Sequence, residues 1–98
     1  MEVGKRVGLE IIYRLLLILN IRGGGLGLVE LWREYRELCR SRANYDLVRR
    51  HVDFMRDTGL VEVEKGRPMR VRVSQKGRDY MFLMSRLEYL LGRPISCT

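Results

Sequence analysis

Cysteine, proline and histidine are scarce in this chain of 98 residues, which has two cysteines, two prolines and a single histidine, His51. The spacing of Cys39 and Cys97 matches no metal-ligand pattern, and one histidine cannot complete a zinc site. We therefore expect no bound metal and no disulfide, with Cys39 a buried thiol and Cys97 an exposed thiol in the tail. So few prolines, without any low-complexity run, also argue against a disordered chain.

Long hydrophobic segments are lacking as well. The most apolar run covers residues 11–21, which is too short to cross a bilayer and is interrupted by Arg14 and Asn20. It does not end in the small-residue cleavage site of a secretory signal. Because a chain of this length corresponds to about one domain, we expect a single soluble domain spanning residues 1–98, located in the cytoplasm and without a membrane partner.

No catalytic constellation can be assembled from the sequence. His51 has no cysteine or serine partner at a diagnostic spacing, so a nucleophile and its base cannot be paired. The glycines within residues 23–27 lack the Gly-Lys-Ser/Thr ending of a phosphate-binding loop and are expected to form a flexible turn. We therefore expect neither an enzyme nor a cofactor, and we expect His51 to be a core residue.

The sequence does contain concentrated positive charge. Residues 65–76 include five lysines and arginines and no acid, and residues 40–50 include four arginines against one aspartate. Together these two segments carry more net charge than the whole chain, which is +7. Because the excess is localised, a polyanion such as nucleic acid is the favoured partner.

The pattern of apolar residues predicts four helices. They are expected at residues 5–22, 28–39, 45–58 and 74–91, with Asn44 and Ser74 as N-caps. The apolar stripe of the first helix is too wide for a surface helix, so this helix should be central and buried on several sides. Gly59 and Gly92 are expected to end the third and fourth helices.

A β-hairpin is predicted between the third and fourth helices, because residues 60–64 and 70–73 alternate with period two. If Val63 pairs with Val71, the apolar side chains share one face and each glutamate of the first strand faces an arginine of the second. The expected fold class is therefore α+β and mostly helical.

Two segments of the sequence resemble parts of a winged helix-turn-helix domain. These are residues 48–61, which end in Thr58-Gly59-Leu60-Val61, and the later Val73-Ser74-Gln75-Lys76-Gly77. The similarity is to small bacterial and archaeal regulators of the MarR and PadR type, in which Gly-Leu-Val opens the wing and a Thr-x-x-Gly-like element opens the last helix. The resemblance covers about residues 7–80. It implies a three-helix core with a β-hairpin wing at residues 60–73, an additional C-terminal helix at residues 74–92, and double-stranded DNA as the partner.

The resemblance makes residues 45–58 the recognition helix, whose N-terminal residues would lie near base edges in the major groove. Arginine can fork onto guanine and asparagine onto adenine, so the side chains suit that place. The expected contacts are Arg40, Arg42, Asn44, Tyr45, Arg49 and Arg50, with Arg40 and Arg42 near flanking phosphates. The alternative is a solvated helix face in which Asp46 pairs with Arg49 or Arg50.

Four residues of the wing are expected to contact DNA: Lys65, Arg67, Arg70 and Arg72. Lys65 and Arg67 lie at the hairpin tip without acidic neighbours, so they should make the main contacts, on phosphate or in the minor groove. Arg70 and Arg72 would be partly neutralised by the glutamates opposite them, Glu64 and Glu62. The alternative is an ordinary charged turn.

The last helix carries more apolar surface than one neighbour can cover. Tyr80, Leu83, Met84, Leu87 and Leu91 lie along one stripe, which Met81, Phe82 and Leu90 widen. A second copy of the chain is the simplest partner for such a surface, so we expect a homodimer. The alternative is a monomer in which the first helix absorbs the whole face.

These observations predict a dimeric regulator of transcription that binds double-stranded DNA and is associated with the nucleoid. Two alternatives remain open. An architectural protein would bind DNA in a salt-dependent way without discriminating between sequences. A winged-helix module that docks onto another protein would bind duplex DNA no better than any protein of net charge +7.

Overall fold

The computed structural model describes residues 7–23, 25–66 and 69–97, which form four helices and one antiparallel hairpin. The elements are, in chain order, α1 (Leu9–Arg22), α2 (Leu28–Leu38), α3 (Tyr45–Asp57), β1 (Val61–Glu64), β2 (Arg70–Val73) and α4 (Gln75–Leu91). The predicted α+β, mostly helical class is confirmed. None of the helices in this part of the chain combines the length and the apolar character needed to cross a membrane.

Helix α1 lies at the centre of the hydrophobic core, as its wide apolar stripe predicted. Its buried side chains are Ile12, Tyr13, Leu15, Leu16, Ile18 and Leu19. They point in several directions around the helix axis, and α1 packs against each of the other three helices and against β2. Helices α2 and α3 each bury only one face, which leaves their polar faces to solvent.

Helix α1 begins at Leu9, later than predicted, and the reason lies in a contact with α3. Gly8 is the extended N-cap of α1, and its N–H donates to Nε2 of His51 at 3.1 Å. The other ring nitrogen of His51 donates to the Leu47 carbonyl at 2.7 Å, which fixes the neutral tautomer. Burial lowers the pKa of His51. The prediction that His51 is a core residue is confirmed.

Both predicted N-caps form. Asn44 accepts a hydrogen bond from the Leu47 N–H at 2.9 Å, and Ser74 accepts one from the Gly77 N–H at 3.1 Å. The Ser74 hydroxyl also donates to the carbonyl of Gly59, so the start of α4 is tied to the end of α3. Gly77 is buried where α4 meets the Leu60 backbone, and a Cβ at this position would overlap the Leu60 carbonyl oxygen.

The hairpin has the predicted register, with Val63 opposite Val71. Its second strand also pairs with Leu26, whose N–H and carbonyl both bond to Val71, at 3.1 and 2.8 Å. The described part of the glycine segment is therefore an ordered connection to β2 rather than a flexible turn. Gly25 has φ +90°, and a Cβ there would lie 3.1 Å from the Val71 carbonyl oxygen.

Candidate nucleic-acid interface

The turn between α2 and α3 is held by an aromatic pair. The Trp32 indole N–H donates to the Ala43 carbonyl at 2.9 Å, and its ring meets Tyr45 edge to face with centroids 5.9 Å apart. Such a pair combines apolar burial with a defined ring geometry, so it fixes the start of α3 against α2. Two predicted DNA contacts, Asn44 and Tyr45, are thus already engaged within the chain, as cap and as aromatic partner.

The outer face of α3 neutralises its own charge. Arg49 contacts Asp46 at 2.7 Å and Asp53 at 3.1 Å, and Arg50 also contacts Asp46, at 3.1 Å. Arg56 continues the series, at 3.7 Å from Asp53. The hydrogen bond from Arg49 lowers the pKa of Asp46, and the same bond raises the pKa of Arg49. Arg49 is exposed and Arg50 is half-buried, and both are paired as the alternative interpretation described.

The arginines of α2 and the following turn have no such partners. Arg33, Arg36 and Arg40 are exposed and form no ion pair within residues 7–23, 25–66 and 69–97. With Glu37 and Ser41 they line a shallow cleft of about 440 Å³. The Arg36 guanidinium lies 5.2 Å from the centroid of the Trp32 ring, within the range of a cation–π contact. Arg42, also exposed, lies two residues after Arg40.

Sequence reasoning missed Arg33 and Arg36 as candidates for an interface. The signal was present, because Arg33 and Arg36 are spaced i, i+3 and so share one face of α2, and Arg40 follows just after the end of that helix. It was obscured by Glu30, Glu34 and Glu37, which suggested a mixed and neutral surface. In the structure two of these acids have other partners: Glu30 accepts from the Gly27 N–H, and Glu34 pairs with Arg22 of α1.

The wing arginines find partners other than those predicted. Glu64 does lie opposite Arg70 in the strand register, but its ion pair is diagonal, with Arg72 at 3.6 Å. Arg70 donates instead to the Gly25 carbonyl at 3.3 Å. Lys65 is exposed at the tip without an ion pair to any described residue, and Arg67 lies outside the described residues. Lys65 therefore remains the wing cation best placed for a polyanion.

The residues of α4 that the sequence assigned to a dimer interface differ in their burial. Met84 is buried in the core of its own chain, so it is removed from the predicted interface. Tyr80 is half-buried, and its hydroxyl donates to the Leu9 carbonyl at 2.7 Å, which places it at the edge. Burial raises the pKa of Tyr80 to about 12.

The other assigned residues of α4 are exposed. Leu83, Leu87 and Leu91 retain 65%, 40% and 58% of their surface. Leu90, which the sequence placed at the margin, is 73% exposed and continues the series, since positions 83, 87 and 90 lie on one helix face. Phe82 is also exposed, but its position on the helix is about 100° around the axis from Leu83 and so lies off that face. We call Leu83, Leu87 and Leu90 the α4 leucine stripe.

The segment after α4 folds back onto α1 and α2. The carboxylate of Glu88 accepts hydrogen bonds from the N–H groups of Ile95 and Ser96, at 2.6 and 2.8 Å, and from the Tyr13 hydroxyl at 2.9 Å. These backbone bonds lower the pKa of Glu88 to about 2, because they stabilise the charged form. Arg14 adds a hydrogen bond to the Ile95 carbonyl at 2.9 Å.

This folded segment brings together the two cysteines, and the expectation of separate thiols is wrong. Cys39 and Cys97, which are 58 positions apart in sequence, form a disulfide with Cα atoms 4.9 Å apart. Spacing alone could not reveal the pair, since it depends on Glu88 turning the chain back. The bond joins the tail to the end of α2, one residue before Arg40, whose φ of +48° is unusual for a non-glycine residue.

Among the described residues there is no cluster of three or more histidine, cysteine or acidic side chains that could hold a metal ion. Comparison with protein-family models, with curated proteins and with solved structures yields no match to this chain.

Proposed function

We propose that the protein is a winged helix-turn-helix protein that binds double-stranded DNA, and that it acts as a dimeric regulator of transcription. The order of the elements supports the winged-helix interpretation: three helices, a hairpin and a further helix, with Leu26 adding a short third pairing beside β2. In such a domain α2 and α3 are the two helices of the helix-turn-helix, and β1 with β2 forms the wing.

One observation carries the proposal of DNA binding. Cations that form no ion pair with any described residue lie on α2 and in the turn before α3, at Arg33, Arg36, Arg40 and Arg42, and Lys65 lies at the hairpin tip. A cluster of unneutralised arginines is favourable beside phosphates and unfavourable without them. An enzyme interpretation has no comparable set of residues behind it.

The test is fluorescence anisotropy with duplex DNA of mixed sequence over a salt series. Each lost phosphate contact flattens the slope of log affinity against log salt by about 0.9. The variant Lys65→Ala/Arg67→Ala should therefore flatten the slope by one to two such steps. A wild-type slope near zero would contradict DNA binding and favour a module that docks onto another protein. A steep slope without preference among sequences would favour an architectural protein.

We assign the dimer contact to the α4 leucine stripe. Leucines at positions 83, 87 and 90 have the spacing of a coiled-coil seam, and two copies of one such seam can pair about a two-fold axis. A dimer would present two recognition helices to half-sites about one helical turn apart.

Light scattering at micromolar concentration tests the dimer. Wild type and Phe82→Glu should both have the mass of a dimer, since Phe82 lies off the stripe. Leu83→Glu/Leu87→Glu should have the mass of a monomer and unchanged helicity by circular dichroism. A monomeric wild type would exclude the dimer without excluding DNA binding.

A further inference from the structure

The acids of α2 are arranged so that its arginines stay unpaired. Glu30 accepts a hydrogen bond from the Gly27 N–H at 3.0 Å and so caps the start of its own helix. Glu34 pairs with Arg22 of α1 at 2.7 Å. Both carboxylates are directed away from the arginine cleft, and Glu37 is the one acid that lines it. The positive charge of this face is therefore not balanced within the described chain.

The arrangement of Arg33, Arg36 and Arg40 disfavours the isolated helix. Arg33 and Arg36 are like charges at i, i+3, which repel one another on a helix surface, and Arg40 adds a third charge to the same cleft just beyond the helix. Attraction to the negative C-terminal end of the helix dipole accounts for charge in the last turn only, and Arg33 lies more than one turn before the end at Leu38. An external anion would remove the repulsion.

The cleft is also connected to the recognition helix of the proposed domain. Arg36 stacks on Trp32, and Trp32 is fixed by its bond to Ala43 and its contact with Tyr45 at the start of α3. A guanidinium held in this way loses little freedom when it binds, and its planar fork suits phosphate oxygens. An anion on Arg36 would therefore lie beside the N-terminal end of α3.

We propose that Arg33, Arg36 and Arg40 form a phosphate-binding stripe that holds successive phosphates of one strand of a nucleic-acid duplex. The inference rests on the proposed function and specifies where the backbone contacts lie. The three arginines line one cleft, so a single strand that lies across the cleft can meet all three guanidinium groups. The paired arginines of α3 contribute less to affinity than this stripe does.

Two double variants that remove the same charge test the stripe. Arg33→Gln/Arg40→Gln removes its two ends and leaves Arg36 on Trp32, whereas Arg78→Gln/Arg93→Gln removes two exposed arginines near the ends of α4. The first variant should flatten the salt slope for duplex DNA by about 1.8, the value for two phosphate contacts. The control should change it by less than about 0.5, since neither of its arginines would touch phosphate.

The outcomes separate the stripe from the proposed function. A steep wild-type slope that both variants flatten equally, or that Arg33→Gln/Arg40→Gln leaves unchanged, overturns the stripe and keeps DNA binding. A flat wild-type slope overturns both. The melting temperature of Arg33→Gln/Arg40→Gln should equal or exceed that of wild type, because the substitutions relieve repulsion; this verifies that the variant is folded.

Trp32 is the only tryptophan of the chain and reports on the stripe directly. Duplex DNA should change its emission in wild type and in Arg78→Gln/Arg93→Gln, and the change should be smaller in Arg33→Gln/Arg40→Gln, which keeps Arg36 on Trp32 but loses the other two contacts. Inorganic phosphate is the second probe. A response to inorganic phosphate without one to the duplex would assign the cleft to a small phosphorylated ligand and overturn the backbone contact.

Discussion

Asp46 holds two arginines at once: one carboxylate oxygen lies 2.7 Å from Arg49 and the other 3.1 Å from Arg50. Both arginines were expected to read DNA from the start of α3. In the free protein they are bound to an acid of their own helix, so a phosphate has to compete with that acid for them. Asp46 thus takes the place that a phosphate of the proposed DNA would occupy.

The substitution Asp46→Asn should strengthen duplex binding. It removes one negative charge from the proposed interface and leaves Arg50 without an ion pair to the described residues, which should steepen the salt slope by about 0.9 if one new phosphate contact forms. Anisotropy titration measures the change. Asp79→Asn, at an exposed position of α4, is the matched control and should leave the slope unchanged. Equal effects of the two substitutions would mean that only net charge matters.

Glu88 should make stability dependent on pH in the acid range. Its pKa is lowered to about 2 in the folded chain, against an ordinary value of 4.5, so its carboxylate stabilises the fold above pH 4.5. That contribution is lost as pH falls from about 4.5 to about 2. Urea unfolding of wild type and Glu88→Gln across this range should give free energies of unfolding that converge at low pH. A constant difference down to pH 2 would contradict the assigned hydrogen bonds.

Gly77 should not tolerate a methyl group. Helix propensity alone predicts that Gly77→Ala stabilises the protein by up to about 1 kcal/mol. The Cβ would overlap the Leu60 carbonyl oxygen, however, and overpacking of this kind costs about 1–3 kcal/mol or more. Chemical denaturation should therefore show a net loss of stability. Gly92→Ala is the control: it meets a left-handed φ of +66° but no neighbouring atom, and should cost about 1–2 kcal/mol.

The disulfide should contribute strongly to stability. A cross-link that closes a loop of 58 positions lowers the entropy of the unfolded chain by an amount worth about 4 kcal/mol. Reduction, or the substitution Cys39→Ser/Cys97→Ser, should lower the free energy of unfolding by about that much. Thiol titration of the unfolded, unreduced protein gives a direct check, because two free thiols per chain would show that the bond is absent.

The disulfide also bears on the predicted location in the cytoplasm. Stable disulfides are rare in the cytosol except in hyperthermophiles. The chain has sixteen arginines, two asparagines and one glutamine, a composition that suits such a protein but also suits a GC-rich genome. The redox state of Cys39 and Cys97 in the native cell would therefore test two things: whether the protein is located in the cytoplasm, and whether it comes from a hyperthermophile.

The sequence was sufficient for features that depend on local pattern. Periodicity predicted the helices, side-chain chemistry predicted the caps Asn44 and Ser74, and alternation predicted that Val63 pairs with Val71. Each of these depends on residues within a few positions of one another, or on two strands joined by a short turn.

What the sequence could not provide depends on contacts between distant residues. Whether an arginine is free is decided by where each nearby acid goes, and Glu34 goes to Arg22 on another helix. Leu26 becomes a strand partner only because β2 passes beside it. The burial of Met84 likewise depends on how α4 is rotated against α1, which periodicity leaves open when apolar residues surround most of a helix.

The bond between Cys39 and Cys97 gives the chain the topology of a lariat. Its ring contains α3, the hairpin and α4, and its linear arm carries α1 and α2, so the central helix of the core is not part of the ring. A backbone cut within the ring, for example at the hairpin tip, would open it without dividing the molecule. A cut in the arm would release a fragment. The wing and α3, which are proposed to bind DNA, would therefore both remain covalently joined to α2 after a single proteolytic cut at any point between α3 and the wing.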